Sequence, residues 1–167
     1  MSLFMPTISI KSVTELSLET IKSLGIECLL LDVDNTLAEH GSQEPFSGTV
    51  EWAKHLVDNG IKIVIVSNNV EGRVSAFASK FNLPFVFFSL KPLPVGFNKA
   101  RKILNCDKDK ILVVGDQIFT DILGANLAGI RSVLLEPKAC KETLGIKFRR
   151  VLESPIRKKL QNRDNNP

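Results

Sequence analysis

Short apolar runs alternate with segments of helical period along most of this chain, and that alternation leaves few folds open. Cys28–Leu31 (CLLL), Ile61–Val66 (IKIVIV), Phe85–Phe88 (FVFF), Ile111–Val114 (ILVV) and Ser132–Leu135 (SVLL) read as strands. Between them, Phe46, Val50, Ala53 and Val57 recur at the spacing of one helix face, as do Val70, Val74, Phe77 and Phe81. Phe97, Ala100 and Leu104 mark a third helix, and Ile118, Ile122 and Ala125 a fourth. Gly60 stands where a left-handed cap would end the first helix. Strand, helix and strand in succession demand right-handed crossovers and a parallel sheet covered on both faces. The near-continuous apolarity of the strands agrees with burial on both sides. The expectation is an α/β chain, one doubly wound parallel sheet from about Ile26 to Pro137. Residues 1–25 precede it, with a short helix near Leu18–Leu24. A basic tail, residues 138–167, comes after it, helical around Thr143–Leu152.

Composition removes other classes. At 167 residues, 44% hydrophobic and 24% charged, the chain is one domain's worth of globular protein. Its longest apolar runs fall far below the ~20 residues of a spanning helix. No basic segment followed by an apolar core opens it, so no secretory signal is expected. Cys28, Cys106 and Cys140 are odd in number and form no CxxC pair, which reads as buried or reduced thiols of a cytosolic protein. The net charge of +4 is uneven. From Lys138 onward nine basic residues face three acidic ones, a net of +6, and residues 1–137 carry −2.

In an open parallel sheet, ligands bind beyond the carboxyl ends of the strands, so the residues just past each strand carry the function. After CLLL come Asp32-Val33-Asp34-Asn35-Thr36. After IKIVIV come Ser67-Asn68-Asn69. After PFVFF come Ser89-Leu90-Lys91-Pro92, and after ILVV come Gly115-Asp116-Gln117-Ile118-Phe119-Thr120-Asp121. Carboxylates, a hydroxyl, amides and an ammonium thus meet at one edge of the sheet.

DVDNTL, SNN, KP and GDQIFTD, in this order over about Leu29 to Ala128, resemble the four motifs of the haloacid dehalogenase (HAD) phosphatase superfamily. The wording is similar to that of its subfamily IIIA and the small YqeG-type members, relatives of the phosphatidylglycerophosphate phosphatases. The resemblance implies a HAD-like Rossmannoid fold and hydrolysis of a phosphomonoester through an aspartyl-phosphate. It makes Asp32 the nucleophile and Asp34 the general acid and base, with neighbouring carboxylates expected to raise its pKa. Mg²⁺ is the implied cofactor, held by Asp32, the backbone carbonyl of Asp34 and Asp116, with Asp121 in support. Ser67, Asn68 and Lys91 are the implied substrate-binding residues, Lys91 also offsetting charge in the transition state. Asn68 and Asn69 also suit a loop-shaping role, and Thr36 and Thr120 backbone bonding. Arg73 is a candidate phosphate contact near the second motif. His40 and His55 lie outside the motifs, and Trp52 suits the core.

Many family members carry a cap domain. Here only Ala38–Phe46 separates Leu37 from Ser47, and the chain enters a helix soon after Lys91, so the protein reads as capless. An uncapped site suits a phosphate projecting from a large object. The leading expectation is phosphatidylglycerophosphate phosphatase activity in phospholipid synthesis, by a cytoplasmic protein whose basic tail is either a solvated helix face or a peripheral contact with the inner face of the membrane. The alternatives are a phosphatase of soluble monoesters or phosphoproteins, a non-enzymatic phosphate sensor, and an RNA- or ribosome-associated module. In receiver domains the phosphorylated Asp sits on the third strand and the Lys comes last; the order here is different. Phe148 is the one aromatic among the tail's basic residues, so the nucleic-acid signature is weak.

Overall fold

The structure, a computed structural model, describes residues 3–137 and 144–164, the last of these with side chains over 150–160. Six strands form one all-parallel sheet: β1 (Ile8–Ile10), β2 (Cys28–Leu31), β3 (Lys62–Val66), β4 (Phe85–Val86), β5 (Ile111–Gly115) and β6 (Arg131–Leu135). Their order is β1-β6-β5-β2-β3-β4. The helices are α1 (Leu18–Ser23), α2 (Thr49–Asp58), α3 (Glu71–Ser79), α4 (Val95–Leu104), α5 (Leu123–Ala128) and α6 (Leu144–Asp164). The α/β parallel architecture expected from the alternation is the one observed.

Strand alternation sorts the core into two layers. Leu29, Leu31, Ile63, Ile65, Leu112 and Val114 face α1, α2 and α3 through Ile21, Ala53, Leu56, Val74 and Phe77. Cys28, Leu30, Val64, Val66, Ile111 and Val113 face α4 and α5 through Phe97, Ala100, Leu104, Ala125 and Ala128. Gly60, at φ +89°, succeeds α2 at the cap position required. Ser17 caps α1, its Oγ accepting from the Thr20 N–H at 3.1 Å.

Four details depart from the sequence reading. Ile8, Ser9 and Ile10, from the segment placed ahead of the sheet, pair with Val133, Leu134 and Leu135 as its edge strand. Three residues are too few to show a period. The strand expected over Phe85–Phe88 keeps only Phe85 and Val86, because Phe88 turns to φ +42° and donates its N–H to the Asn69 carbonyl. The helix expected from Ile118 opens as a π-helical turn, Ile118–Ile122, before α5. Cys28 and Cys106 form a disulfide, Cα atoms 6.8 Å apart, where reduced thiols are expected from the sequence. They stand 78 residues apart, and the packing of α4 on the sheet brings them together. Cys140 lies outside the described residues.

The chain leaves β2 for β3 on one side, while β5 pairs on the other. The switch point therefore falls between the carboxyl ends of β2 and β5, where such sheets bind ligands. The β2–α2 connection, residues 32–48, is a loop with isolated bridges at Asp34, Ala38 and Pro45. The β4–α4 connection is residues 87–94. Neither holds a domain.

Candidate active site

Asp32 continues β2 by one residue, its N–H donating to the Val114 carbonyl at 3.0 Å. Asp116 directly follows β5, and one oxygen of its carboxylate lies within 4.8 Å of one of Asp32. Asp121 reaches them from the π-helical turn. Its approach depends on Gly115, where a Cβ would lie 2.4 Å from the Asp121 Cγ. Lys91 enters from the opposite edge, carried by the β4–α4 connection. Its Nζ donates to Asp32 Oδ1 at 2.5 Å and to Asp121 Oδ1 at 2.7 Å. All four residues are buried.

The loop that delivers Lys91 is held by Asn68. Its Oδ1 accepts from Ser89 Oγ at 2.7 Å and from the Lys91 N–H at 2.8 Å, and its Nδ2 donates to the Lys91 carbonyl at 3.1 Å. Asn68 therefore positions Lys91 with both ends of its amide. Ser67 is buried, and its Oγ accepts from the Asn69 N–H at 3.2 Å. Gly96 lets α4 start against this loop, since a Cβ there would sit 2.5 Å from the Ser89 carbonyl oxygen.

Asp34 is surrounded by donors. Arg73 Nη2 donates to its Oδ1 at 2.8 Å, the Gly41 N–H to the same oxygen at 2.9 Å, and Asn69 Nδ2 to Oδ2 at 2.9 Å. His40 Nδ1 lies 3.4 Å from Oδ1. Arg73, a candidate for phosphate, pairs with Asp34, and His40, outside the motifs, joins the same cluster. A cleft of about 170 Å³ opens on Asp32, Asp34, His40, Ser67, Asn68 and Lys91. A larger hollow of about 280 Å³, between β1, β6 and α6, is lined mainly by residues outside the motifs. Convergent chemistry, and not size, distinguishes the first.

Charge in the site is unbalanced. Burial pushes the Asp32 carboxyl well above the carboxylate range; Lys91 pulls it down, and Asp121 and Asp116 push it further up. Burial pulls the Lys91 ammonium down, but Asp121 and Asp32 outweigh it and hold it above its ordinary range. Burial also pushes Asp116 up to about 6, against the pull of Arg150 and with the repulsion of Asp121.

The shift at Asp116 has a sign that can be tested. The folded protein binds this proton more tightly than the unfolded chain, whose value is near 3.8. The associated stability is complete below about pH 4 and is lost as pH rises through about 6. Thermal denaturation in EDTA across this window, for the native protein and Asp116→Asn, is expected to show the native protein losing up to about 3 kcal/mol relative to the variant. A difference that stays flat with pH would show that Asp116 titrates normally.

One oxygen from each of Asp32, Asp116 and Asp121 lies within 4.8 Å of the others. Asp116 Oδ1 is buried with no hydrogen-bond partner among the described residues. A desolvated carboxylate oxygen costs free energy unless something binds it. An all-oxygen, anionic donor set suits a hard divalent cation such as Mg²⁺, so the residues present fit one.

The tail also enters the site. Arg150, Glu153 and Arg157 of α6 turn inward onto Asp116 and its surroundings. The sequence suggests a solvated or membrane-facing helix here, and two of its arginines are instead mostly buried.

Residues 10–129 match the model of the haloacid dehalogenase-like hydrolase family. The chain belongs to that family. It is 33% identical to a Bacillus subtilis protein named probable phosphatase YqeG, over 92% of this chain and 89% of that one. It is 25% identical to the Arabidopsis thaliana phosphatidylglycerophosphate phosphatase 1, chloroplastic/mitochondrial, over 80% of this chain and 41% of that one. In structure it is similar to an uncharacterized protein from Listeria monocytogenes serotype 4b, with a TM-score of 0.54 and 20% identity, covering 71% of this chain and 87% of that one.

Proposed function

We propose that this hydrolase is a Mg²⁺-dependent phosphatase that works through an aspartyl-phosphate on Asp32, with a lipid phosphomonoester of the phosphatidylglycerophosphate class as substrate. The observation that carries the chemistry is the contact of Lys91 with Asp32 and Asp121 beside an Asp116 oxygen that has no hydrogen-bond partner among the described residues. In the first step an Asp32 oxygen attacks phosphorus, the bond to the leaving oxygen breaks, and Asp34 supplies the proton that the leaving oxygen takes. In the second, Asp34 removes a proton from water, the water oxygen attacks phosphorus, and Asp32 leaves as carboxylate. The Arg73 guanidinium, the Gly41 N–H and the Asn69 amide hold the Asp34 carboxyl in place at the mouth of the cleft. Ser67 and Lys91 bind phosphoryl oxygens, and Asn68 acts by holding Lys91. Bound Mg²⁺ would supply the positive charge that lets a carboxylate approach a phosphate; Asp32, Asp116 and the Asp34 carbonyl would hold it, with Asp121 in support.

The lipid assignment rests on the plant relative, on the uncapped site and on the segment that carries Lys91. Phe88, Leu90, Leu93 and Val95 are each more than half exposed. Phe88 and Leu90 point outward while Ser89 and Lys91 beside them are buried. The same loop thus presents apolar side chains to the outside and the ammonium to the site, as an enzyme at a bilayer surface requires. Lys158 and Lys159 of α6 are exposed and suit an anionic leaflet. No helix among the described residues is long and apolar enough to cross a membrane, and contact would be peripheral.

The test is phosphate release from phosphatidylglycerophosphate in vesicles beside a water-soluble monoester. Turnover of the lipid is expected with Mg²⁺ and not in EDTA. Leu90→Asp is expected to lower lipid turnover about tenfold more than soluble turnover, the scale of one leucine's lost burial. Strong turnover of the soluble ester with none of the lipid would overturn the substrate assignment.

A further inference from the structure

The carboxyl end of β5 is gripped by three side chains of α6, none of them in the four motifs. Arg150 Nη1 donates to the Asp116 carbonyl at 2.8 Å, and its Nη2 pairs with Asp116 Oδ2. Arg157 Nη2 donates to the same carbonyl at 2.5 Å, and its Nη1 to the Leu135 carbonyl at 3.2 Å. Glu153 lies between the two arginines. Its Oε1 accepts from the Ile118 N–H at 2.7 Å, and its Oε2 accepts from Arg157 Nη2 at 3.0 Å. Glu153 is fully buried, and the side chains of Arg150 and Arg157 are 13% and 15% exposed. Ile156 and Leu160 seat the helix on Ile118, Ile122 and Leu134.

Each contact fills a need at this strand end. The Ile118 N–H opens a helical turn and has no partner within it. The Asp116 carbonyl lies past the last strand pair. Glu153 and the arginines satisfy both, and the fork of Arg150 spans the main-chain carbonyl and the carboxylate of one residue, a grip a lysine cannot reproduce. With Oδ2 engaged, Oδ1 is the oxygen left to face the carboxylates of Asp32 and Asp121.

We propose that Arg150 is a positioning residue of the cation site: it holds Asp116 through Oδ2 and the main chain so that Oδ1 alone is presented to the divalent cation, and Glu153 and Arg157 fix the helix that carries it. The proposal rests on the reading of Asp32, Asp116 and Asp121 as a cation site. Outer partners of metal-binding carboxylates are worth about 10–100-fold in metal affinity, and a loss in that range is expected here.

The experiment measures Mn²⁺ binding by electron paramagnetic resonance for the native chain, Arg150→Gln and Arg150→Lys, with melting temperatures beside it. It also measures the Mg²⁺ concentration that half-activates phosphate release. Arg150→Gln is expected to weaken Mn²⁺ binding about 10–100-fold and to raise the half-activating Mg²⁺ by a similar factor, with kcat at saturating Mg²⁺ largely retained. Arg150→Lys is expected to recover part of the affinity. Should Arg150→Gln fail to fold, the Lys variant decides, by a smaller loss in the same direction. Unchanged or tighter Mn²⁺ binding in a folded variant would overturn the proposal while leaving the cation site intact. A native chain that binds no Mn²⁺ would overturn both.

Discussion

Replacing Asp32 with asparagine is expected to stop phosphate release and, in the same protein, to raise the melting temperature measured in EDTA. The activity falls because an amide cannot attack phosphorus or leave again as a carboxylate. A loss of about four orders of magnitude or more is the scale for removing a nucleophile. Stability moves the other way. Burial and the carboxylates of Asp121 and Asp116 make the ionised Asp32 costly, and only Lys91 offsets that cost. Asparagine keeps the shape and removes the charge. Lys91 retains Asp121 at 2.7 Å, so its ammonium stays paired. Calorimetry and a phosphate assay on one preparation check both halves. A variant that is inactive and also less stable would show that the Asp32–Lys91 pair outweighs the repulsion.

Replacing Lys91 with methionine is expected to abolish turnover as well, with the opposite effect on stability. The stem is replaced by a side chain of similar length, so packing is largely kept. What is lost is the ammonium that joins Asp32 to Asp121 across the site. Three buried carboxylates then face one another, with Arg150 paired to Asp116. Breaking a buried ion pair from one side costs about 3–5 kcal/mol, and that is the loss expected in EDTA at neutral pH. Lowering the pH is expected to recover part of it, because the carboxyls then take up protons. Urea denaturation at two pH values measures this. Equal stability of Lys91→Met and the native protein would show that Asp32 and Asp121 are neutral in the fold without any help from Lys91.

These two predictions use residues that are legible in the sequence. Asp32, Ser67, Lys91 and Asp116 each come after an apolar run, and a parallel sheet must bring such positions to one edge. Asp121 is legible through its motif, and Gly115 explains why that motif begins with glycine. The roles of Asn68 and Arg73 are not legible. An amide after a strand looks the same whether or not it holds a neighbouring backbone, as Asn68 holds that of Lys91. Arg73 stands at the start of α3, and only the path of the β2–α2 loop turns Asp34 toward it. His40 joins that cluster for the same reason.

The tail shows the division most clearly. Its net charge of +6 points outward, to membrane or nucleic acid. Arg150, Glu153 and Arg157 are spaced by three and four residues, the spacing of one helix face, and an acidic residue between two arginines is a visible sign that they have partners. Which partners cannot be read from spacing, since Asp116 lies 34 residues from Arg150.

By itself, the sequence determined the layered α/β class, the order of the motifs and the edge at which they meet, because periodicity and chain direction are local properties. Tertiary structure decided the rest: the edge strand β1, the pairing of Cys28 with Cys106, the donors around Asp34 and the grip of α6 on Asp116. Each of these joins segments distant in sequence. Their contacts are chosen by how helices pack on the sheet and by which buried polar groups still lack a partner, and neither is written in any one stretch of the chain.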